Sequence, residues 1–198
     1  MKTQTEYGFE ICRKYIHQFT ALSEPDWASL SSLFSVERYP RKSVLVEEGK
    51  TADRLFFLYN GYVRFSISRE NGTEVTTDFF FAPGFITSFT SFVEQVPSRI
   101  NILAMGDIET LTLSHSSLER LYSGSPEINY LGRKLTEKVF IETEKHLISL
   151  LSDSPAQRYL RLMNEQPGYI HHIPLRILAS YLGITPESLS RIRKRILK

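Results

Sequence analysis

The chain has 198 residues, 41% of them hydrophobic, which is enough to bury one large core or two modest ones and excludes a disordered protein. Its net charge of +2 hides an asymmetry, because the segment from Asp153 onward holds eight Lys and Arg residues against three Asp and Glu residues, so a polyanion is attracted to that end. The single cysteine, Cys12, excludes an intramolecular disulfide and a four-cysteine iron–sulfur cluster within one chain.

No segment of the sequence has the length or hydropathy of a membrane anchor. The first twenty residues lack the apolar stretch of a signal peptide, and no later apolar run approaches the length needed to cross a bilayer. We therefore expect a cytoplasmic protein that has no membrane partner and does not depend on an oxidising compartment.

Helical periodicity at the start of the chain gives way to strand-like alternation. Apolar residues recur at helical spacing from about Tyr7 to Phe34, with a new start signal at Ser23. Short runs rich in β-branched and aromatic residues follow, separated by glycine-containing turns. We predict strands over residues 43–46, 54–59, 62–68, 74–81, 99–104 and 109–113. Strands of this length and spacing favour a closed or nearly closed antiparallel roll.

A long helix is predicted after the roll. Ser125 supplies its N-cap and Pro126 its first-turn proline, and the helical pattern extends to about Leu151. Its apolar residues mix three- and four-residue steps, as in a helix that pairs with a second copy, and packing against its own roll is the alternative. Beyond it, the pattern predicts a hinge at residues 152–155, a short helix at 156–164 and a strand at 168–173.

The last two dozen residues carry the strongest functional signal. Gly183 falls where the chain must take a left-handed turn, Thr185 is placed as the N-cap of a following helix, and Pro186 is at its first position. Apolar residues recur at the offsets that pack two short helices at a steep angle, namely Leu178, Leu182, Ile184, Leu189 and Ile192. The pattern predicts a helix-turn-helix whose basic second helix fits the DNA major groove. A structural corner whose arginines only complement the helix dipole is the alternative.

The order of these parts resembles the cyclic-AMP receptor and fumarate–nitrate regulator family of bacterial transcription factors. Within the roll, the resemblance is carried by Glu48-Gly49, Ala52-Asp53-Arg54-Leu55-Phe56-Phe57-Leu58, Asn60-Gly61-Tyr62-Val63-Arg64 and Pro83-Gly84-Phe85-Ile86. It covers nearly the whole chain and implies an α+β fold. The implied domains are an antiparallel β-roll of the cyclic-nucleotide-binding, jelly-roll type in residues 1–124, a dimerisation helix in 125–152 and a helix-turn-helix domain in 153–198.

The resemblance also implies a cyclic-nucleotide cassette, from which this sequence departs. Members of the family that bind cyclic nucleotides carry a glutamate for the ribose hydroxyl and, about ten residues later, an arginine for the cyclic phosphate. Alignment places Ser88 and Ser98 at those positions, and Arg99 is one residue out of register, which on a strand reverses the side that a side chain faces. We expect no cyclic-AMP binding. Two alternatives stay open, a roll filled by its own side chains and a pocket for another effector lined by Thr87, Ser88, Phe89, Ser98 and Arg99.

In the helix-turn-helix, the resemblance implies base-reading positions early in the second helix. Of the family's arginine, glutamate and second arginine, Glu187 and Arg191 are present, and Pro186 replaces the first arginine, so the half-site should differ from the usual one. Glu187 is expected to accept from a cytosine amino group and Arg191 to bind a guanine edge. The predicted DNA-contacting residues are Thr185, Glu187, Ser188, Arg191, Lys194 and Arg195, with Arg193 and Lys198 directed to phosphates or solvent.

The sequence contains no pattern typical of an enzyme. A metal-dependent roll needs two or three histidines with a carboxylate, and His115 is the only histidine in the strand-rich region. No serine–histidine–acid pattern, phosphate-binding glycine loop or dinucleotide fingerprint is present.

We therefore predict a non-enzymatic bacterial transcription regulator without a cofactor or metal. It is expected to be a homodimer that reads a roughly palindromic operator in double-stranded DNA. An unidentified small-molecule effector and RNA polymerase are candidate further partners. The alternative is a small-molecule-binding signalling module whose C-terminal domain contacts a protein.

Overall fold

The computed structural model describes residues 4–165 and 167–196. Two helices, α1 (Gln4–Ile16) and α2 (Glu24–Ser31), precede the strands. The second helix starts where the sequence indicates, because the Ser23 hydroxyl accepts a hydrogen bond from the backbone N–H of Asp26 at 3.2 Å. The helical pattern predicted for the start of the chain is therefore confirmed as two separate helices.

The roll consists of two four-stranded antiparallel sheets. One has the order β1-β8-β3-β6 and the other β2-β7-β4-β5. The described strands are β1 (Ser35–Tyr39), β2 (Val44–Val46), β3 (Arg54–Asn60), β4 (Tyr62–Ser68), β5 (Glu74–Phe81), β6 (Gly84–Ile86), β7 (Asn101–Ala104) and β8 (Ile108–Ser114). The six predicted strands are confirmed. The prediction did not include β1, which is largely exposed, or β6, which has three residues.

The core of the roll lies between its sheets and under α1. Phe57 and Leu111 pair across β3 and β8 and are fully buried, and Tyr15 of α1 packs on the Phe57 ring with 5.5 Å between ring centroids. Cys12, also on α1, has no exposed surface, and its burial raises the pKa of the thiol well above its usual range. Cys12 is therefore a packing residue rather than a reactive thiol.

Helices connect the roll to the C-terminal domain. After the short helix α3 (Phe89–Glu94) and α4 (His115–Gly124), the long helix α5 runs over Pro126–Ser152, as predicted. The Ser125 hydroxyl caps α5 by accepting from the N–H of Ile128 at 3.1 Å. The C-terminal domain contains α6 (Pro155–Glu165), α7 (Pro167–His172), α8 (Leu175–Tyr181) and α9 (Pro186–Ile196).

The strand predicted over residues 168–173 is wrong, because Pro167–His172 forms α7. Ile170 and Ile173 both pack into the C-terminal core, and their three-residue spacing suits one helical turn rather than strand alternation. His171 and His172 are consequently neighbours on a helix, and both are exposed.

The turn between α8 and α9 has the geometry that the sequence predicts. Gly183 adopts a left-handed φ of +70°, and the N–H of Ile184 donates to the carbonyl of Ala179 at 3.0 Å. Ala179 and Leu189 have no exposed surface, because this is where the two helices pack together. The predicted helix-turn-helix is therefore present.

Gly183 provides a test of this turn. Its added β-carbon would meet nothing closer than Arg158 Nη2 at 3.9 Å, so the cost of Gly183→Ala comes from the left-handed backbone alone. We expect the substitution to lower the free energy of unfolding by about 1–2 kcal/mol in urea denaturation. The matched control is Gly124→Ala, at a helical position with open space, which should be neutral or stabilising. Equal losses for both variants would contradict this account of the turn.

Candidate DNA-reading helix and effector cassette

The start of α9 is fixed by a side-chain cap. Thr185 Oγ1 accepts from the backbone N–H of Ser188 at 3.2 Å, and the Thr185 hydroxyl also lies 3.1 Å from Ser188 Oγ. This cap, together with Pro186 at the first helical position, determines which residues occupy the first turn. Glu187 lies in that turn, and Arg191 follows it one helical turn later on the same side.

The inward side of α9 is apolar and the outward side is polar. Leu189 is completely buried, and Ile192 and Ile196 pack against the same core. Among the predicted DNA-contacting residues, the exposed ones are Thr185, Glu187, Arg191, Lys194 and Arg195, and Ser188 is half-buried. Arg193 is half-buried, and Lys198 lies outside the described residues. The predicted polar face is thus open to solvent.

Local interactions prepare Glu187 to act as a hydrogen-bond acceptor. Hydrogen bonds from its own backbone N–H and from the Thr185 side chain, with the nearby positive charge of Arg191, hold the pKa of Glu187 below its usual range. Arg191 Nη2 lies 3.4 Å from Ser188 Oγ, and the guanidinium is exposed. The first two turns of α9 therefore present an ionised carboxylate beside a forked cationic donor.

Arg158, which the sequence analysis did not identify, ties the hinge to the helix-turn-helix. Its Nη1 donates to the carbonyl of Asp153, which follows α5, at 2.6 Å. Its Nη2 donates to the carbonyl of Leu182, at the end of α8, at 2.8 Å. One side chain thereby joins the end of the long helix to the turn before α9. An arginine that binds only backbone carbonyls has no sequence signature, because any residue supplies such a partner.

In the roll, the structure brings together the two positions that the alignment assigns to the cassette glutamate and arginine. Ser88 and Ser98 are both buried, and their hydroxyl oxygens lie 2.9 Å apart. Ser98 Oγ also accepts from the N–H of Ile100 at 3.1 Å. The neighbouring Arg99 is exposed, and it lies in a bend before β7 rather than on a strand, so strand alternation is not the reason for its exposure. A neutral hydroxyl pair thus occupies the place where the resemblance puts a carboxylate and a cation.

The other two residues of the predicted effector pocket lie elsewhere. The Thr87 hydroxyl donates to the carbonyl of Arg54 at 2.8 Å, and the Phe89 side chain is half-exposed on α3. Of the five predicted residues, the structure therefore brings together only Ser88 and Ser98.

Asp78 on β5 is an acidic residue whose pKa is shifted by its surroundings. Asp78 lies on the same face of β5 as Phe80, because side chains alternate along a strand. Although Asp78 still reaches solvent, partial desolvation by the surrounding protein raises its pKa to about 6. The negative charge of Glu142 on α5 acts in the same direction, and the hydrogen bond from the N–H of Phe79 opposes it. The protonated form of Asp78 is thus favoured mainly by desolvation, with a smaller contribution from Glu142.

Neither a metal site nor a membrane-spanning helix is found among the described residues. Within residues 4–165 and 167–196, no group of three or more His, Cys, Asp or Glu side chains is placed to hold a metal ion. No helix in the same part of the chain is both long enough and apolar enough to cross a bilayer.

Comparisons with known proteins agree with this architecture. The cyclic nucleotide-binding domain family matches residues 36–125. The cAMP-activated global transcriptional regulator CRP of Salmonella typhimurium is 23% identical over 171 residues, which cover 81% of each chain. The chain is therefore similar to Crp/Fnr-type transcription regulators over most of its length.

Solved structures of this Crp/Fnr fold resemble the chain along most of its length. A Crp/Fnr-family regulator from Eubacterium rectale superposes with a TM-score of 0.72 at 14% identity, covering 93% of this chain and 88% of that one. The c-di-GMP responsive regulator CLP of Xanthomonas campestris gives a TM-score of 0.67 at 18% identity, covering 88% and 92%. These likenesses show a shared fold that spans the roll and the C-terminal helices.

Proposed function

We propose that this chain is a regulator of the Crp/Fnr type that reads double-stranded DNA through the outward face of α9. The observation that supports this most strongly is the open face bearing Glu187 and Arg191 on a complete helix-turn-helix. An α-helix of this kind fits the major groove, where each base pair presents a distinct pattern of donors and acceptors.

The two reading residues would have different roles. The Arg191 guanidinium has the forked geometry that binds O6 and N7 of guanine, and the Glu187 carboxylate accepts from the N4 amino group of cytosine. Lys194 and Arg195 lie further along α9 and are exposed, which suits contacts with phosphates. Sequence preference would therefore depend on the first two turns of α9, and general affinity on its last turn.

Selection of bound sequences from random duplex DNA tests this assignment. We expect the wild-type chain to enrich one motif. Arg191→Ala should lose about 1–3 kcal/mol of binding free energy on that motif and accept more bases at one position, because a bidentate base contact is removed. Lys194→Ala should instead weaken binding to all sequences alike and reduce the salt dependence.

Arg120→Ala is the matched control, because it removes the same charge from an exposed position on the roll. It should leave both the motif and the affinity unchanged. Failure of the wild-type chain to enrich any motif would instead favour a signalling module whose C-terminal domain contacts a protein. An unchanged motif with Arg191→Ala would refute the role given to that residue.

We also propose that the chain reads a roughly palindromic site as a homodimer formed through α5. Only the first part of α5 packs firmly on the roll, at Ile128 and Leu131. Further along, large apolar side chains are 40–81% exposed, namely Val139, Phe140, Ile141, Leu147, Ile148, Leu150 and Leu151. Phe140 and Leu147, like Ile141 and Ile148, are seven residues apart, the repeat of helices that pair side by side. A second copy of α5 would cover this stripe.

A charged residue among the exposed apolar side chains of α5 should prevent the two chains from pairing. We expect Phe140→Asp to convert a dimer into a monomer by light scattering, because the carboxylate would be buried without a partner. Its affinity for the selected duplex should fall, since one chain supplies one reading helix. Tyr7→Asp, a half-exposed aromatic on α1, is the control that should stay dimeric. A wild-type monomer, or a dimeric Phe140→Asp variant with full affinity, would contradict the proposed interface.

We further propose that cyclic AMP does not control this regulator. The buried Ser88 and Ser98 hydroxyls carry no charge that could balance a cyclic phosphate, and the neighbouring Arg99 is exposed to solvent. Together these features oppose an anionic ligand at the place where the resemblance puts one.

A further inference from the structure

Three consecutive phenylalanines at the end of β5 lie between two hydrophobic cores. Phe79 and Phe81 pack into the core of the C-terminal domain, and Phe80 packs into the core of the roll. This division follows from strand geometry, because successive side chains point to opposite faces of a sheet. A displacement of the β5 backbone at this triplet therefore reaches both cores.

On one face of β5, the triplet takes part in an interface between the β4–β5 hairpin and the C-terminal domain. Phe79 contacts Tyr181 of α8 edge-on, with 5.5 Å between ring centroids. Phe81 stacks on Tyr62 at 4.8 Å, and the Tyr62 hydroxyl donates to the carbonyl of His172 at 3.0 Å. We call these contacts, together with the one described next, the hairpin interface.

A backbone hydrogen bond extends the hairpin interface to the end of α8. The β4–β5 register shifts between Phe65 and Ser66, and the N–H of Thr76 donates to Ser180 Oγ at 3.0 Å. Tyr181 is held from a third direction, since it stacks on His146 of α5 with 5.2 Å between ring centroids. The first helix of the helix-turn-helix is thus held between the hairpin and the long helix.

The hairpin interface leaves the reading face of α9 uncovered. Its contacts in the C-terminal domain come from α7 and α8, whereas Glu187 and Arg191 remain exposed. The interface therefore fixes the direction in which α9 points without hiding its outward residues. Two reading helices need a fixed separation to meet successive turns of DNA, so a fixed direction favours binding.

On the other face of β5, Phe80 touches the start of the cassette. A β-carbon added to Gly84 would lie 2.4 Å from Cζ of Phe80, so the ring occupies the space that a larger residue at position 84 would need. The hydroxyl of Tyr15 lies 3.2 Å from the same point. A shift of the chain at Gly84 toward β5, or a larger side chain at this position, would therefore displace the Phe80 ring, whose neighbours on both sides belong to the hairpin interface.

We propose that the phenylalanine triplet couples the cassette of the roll to the orientation of the reading helix, and that displacing Phe80 loosens the hairpin interface and weakens DNA binding. This inference rests on the proposed DNA-reading function. An effector would act in this way if it bound the two positions of Phe80 with different affinities, because only a difference in affinity shifts a conformational equilibrium.

Gly84→Ala is the direct test, because position 84 lies in neither the DNA-reading face nor the hairpin interface. We expect faster amide hydrogen exchange in α8 and at the start of β5 around Thr76, because the interface that protects them is loosened. The affinity for the selected duplex should fall about tenfold. Amide exchange in the paired strands β3 and β8 should stay unchanged. This is the control that the roll of the variant is folded.

A second substitution separates coupling from damage. Phe80→Leu removes the ring that Gly84→Ala displaces, so the double variant should recover slow exchange in α8 and most of the lost affinity. Unchanged exchange and affinity in Gly84→Ala, a rise in affinity, or no recovery in the double variant would overturn the proposal.

Milder variants keep the proposal testable if Gly84→Ala does not fold. Tyr62→Phe and Ser180→Ala each remove one hydrogen bond of the hairpin interface, and together they should raise exchange in α8 and lower affinity. If the double variant Tyr62→Phe/Ser180→Ala bound the selected duplex as tightly as the wild-type chain, the proposal would be overturned. Amide hydrogen exchange is measured without DNA. If the wild-type chain enriched no motif, the DNA-reading function would be refuted, but the effect of Gly84→Ala on exchange in α8 could still be measured.

Discussion

The reading face of α9 depends on the packing of α9 against α8. Leu178 and Leu182 of the first helix and its turn enclose Leu189, and all three are almost fully buried. Burial of these side chains determines the rotation of α9 about its axis, since apolar surface removed from water is the main favourable term in such packing. The opposite stripe, with Glu187 and Arg191, must then face solvent. A different rotation would bury charged groups without partners, which is costly.

The same reasoning separates the scaffold of the roll from its chemistry. The chain shares its fold with solved Crp/Fnr regulators, yet a buried serine pair stands where the resemblance puts a carboxylate and a cation. A fold holds positions in space, and the side chains at those positions decide what binds. The fold places Ser88 and Ser98 side by side, but neither side chain carries a charge that could balance a phosphate. The triplet on β5 then offers a route from that part of the roll to the C-terminal domain.

Much of the architecture could be predicted because its signals are local. Gly183, the Thr185 cap and the apolar spacing of α8 and α9 act within two turns of each other, and Ser125 with Pro126 likewise marks the start of α5. Segment 168–173 was misassigned because a run of six residues fits both a strand and one helical turn, and packing of Ile170 and Ile173 decided between them. The hydrogen bond from Arg158 to Leu182 and the contact of Phe79 with Tyr181 join residues far apart in sequence, so no local sequence pattern predicts them. In the candidate site, the alignment identified Ser88 and Ser98, which the structure brings together, whereas the bend at Arg99 and the start of α3 at Phe89 had no signal in the sequence.

The most direct test of the account is the affinity of the wild-type chain for its selected duplex and for a scrambled duplex, each measured with and without saturating cyclic AMP at fixed salt. The account predicts binding to the selected duplex at least about 10³-fold tighter than to the scrambled one, and no change on adding the nucleotide. Equal affinity for both duplexes would contradict a DNA-reading role for α9. Tight binding only in the presence of cyclic AMP would contradict the interpretation of the serine pair.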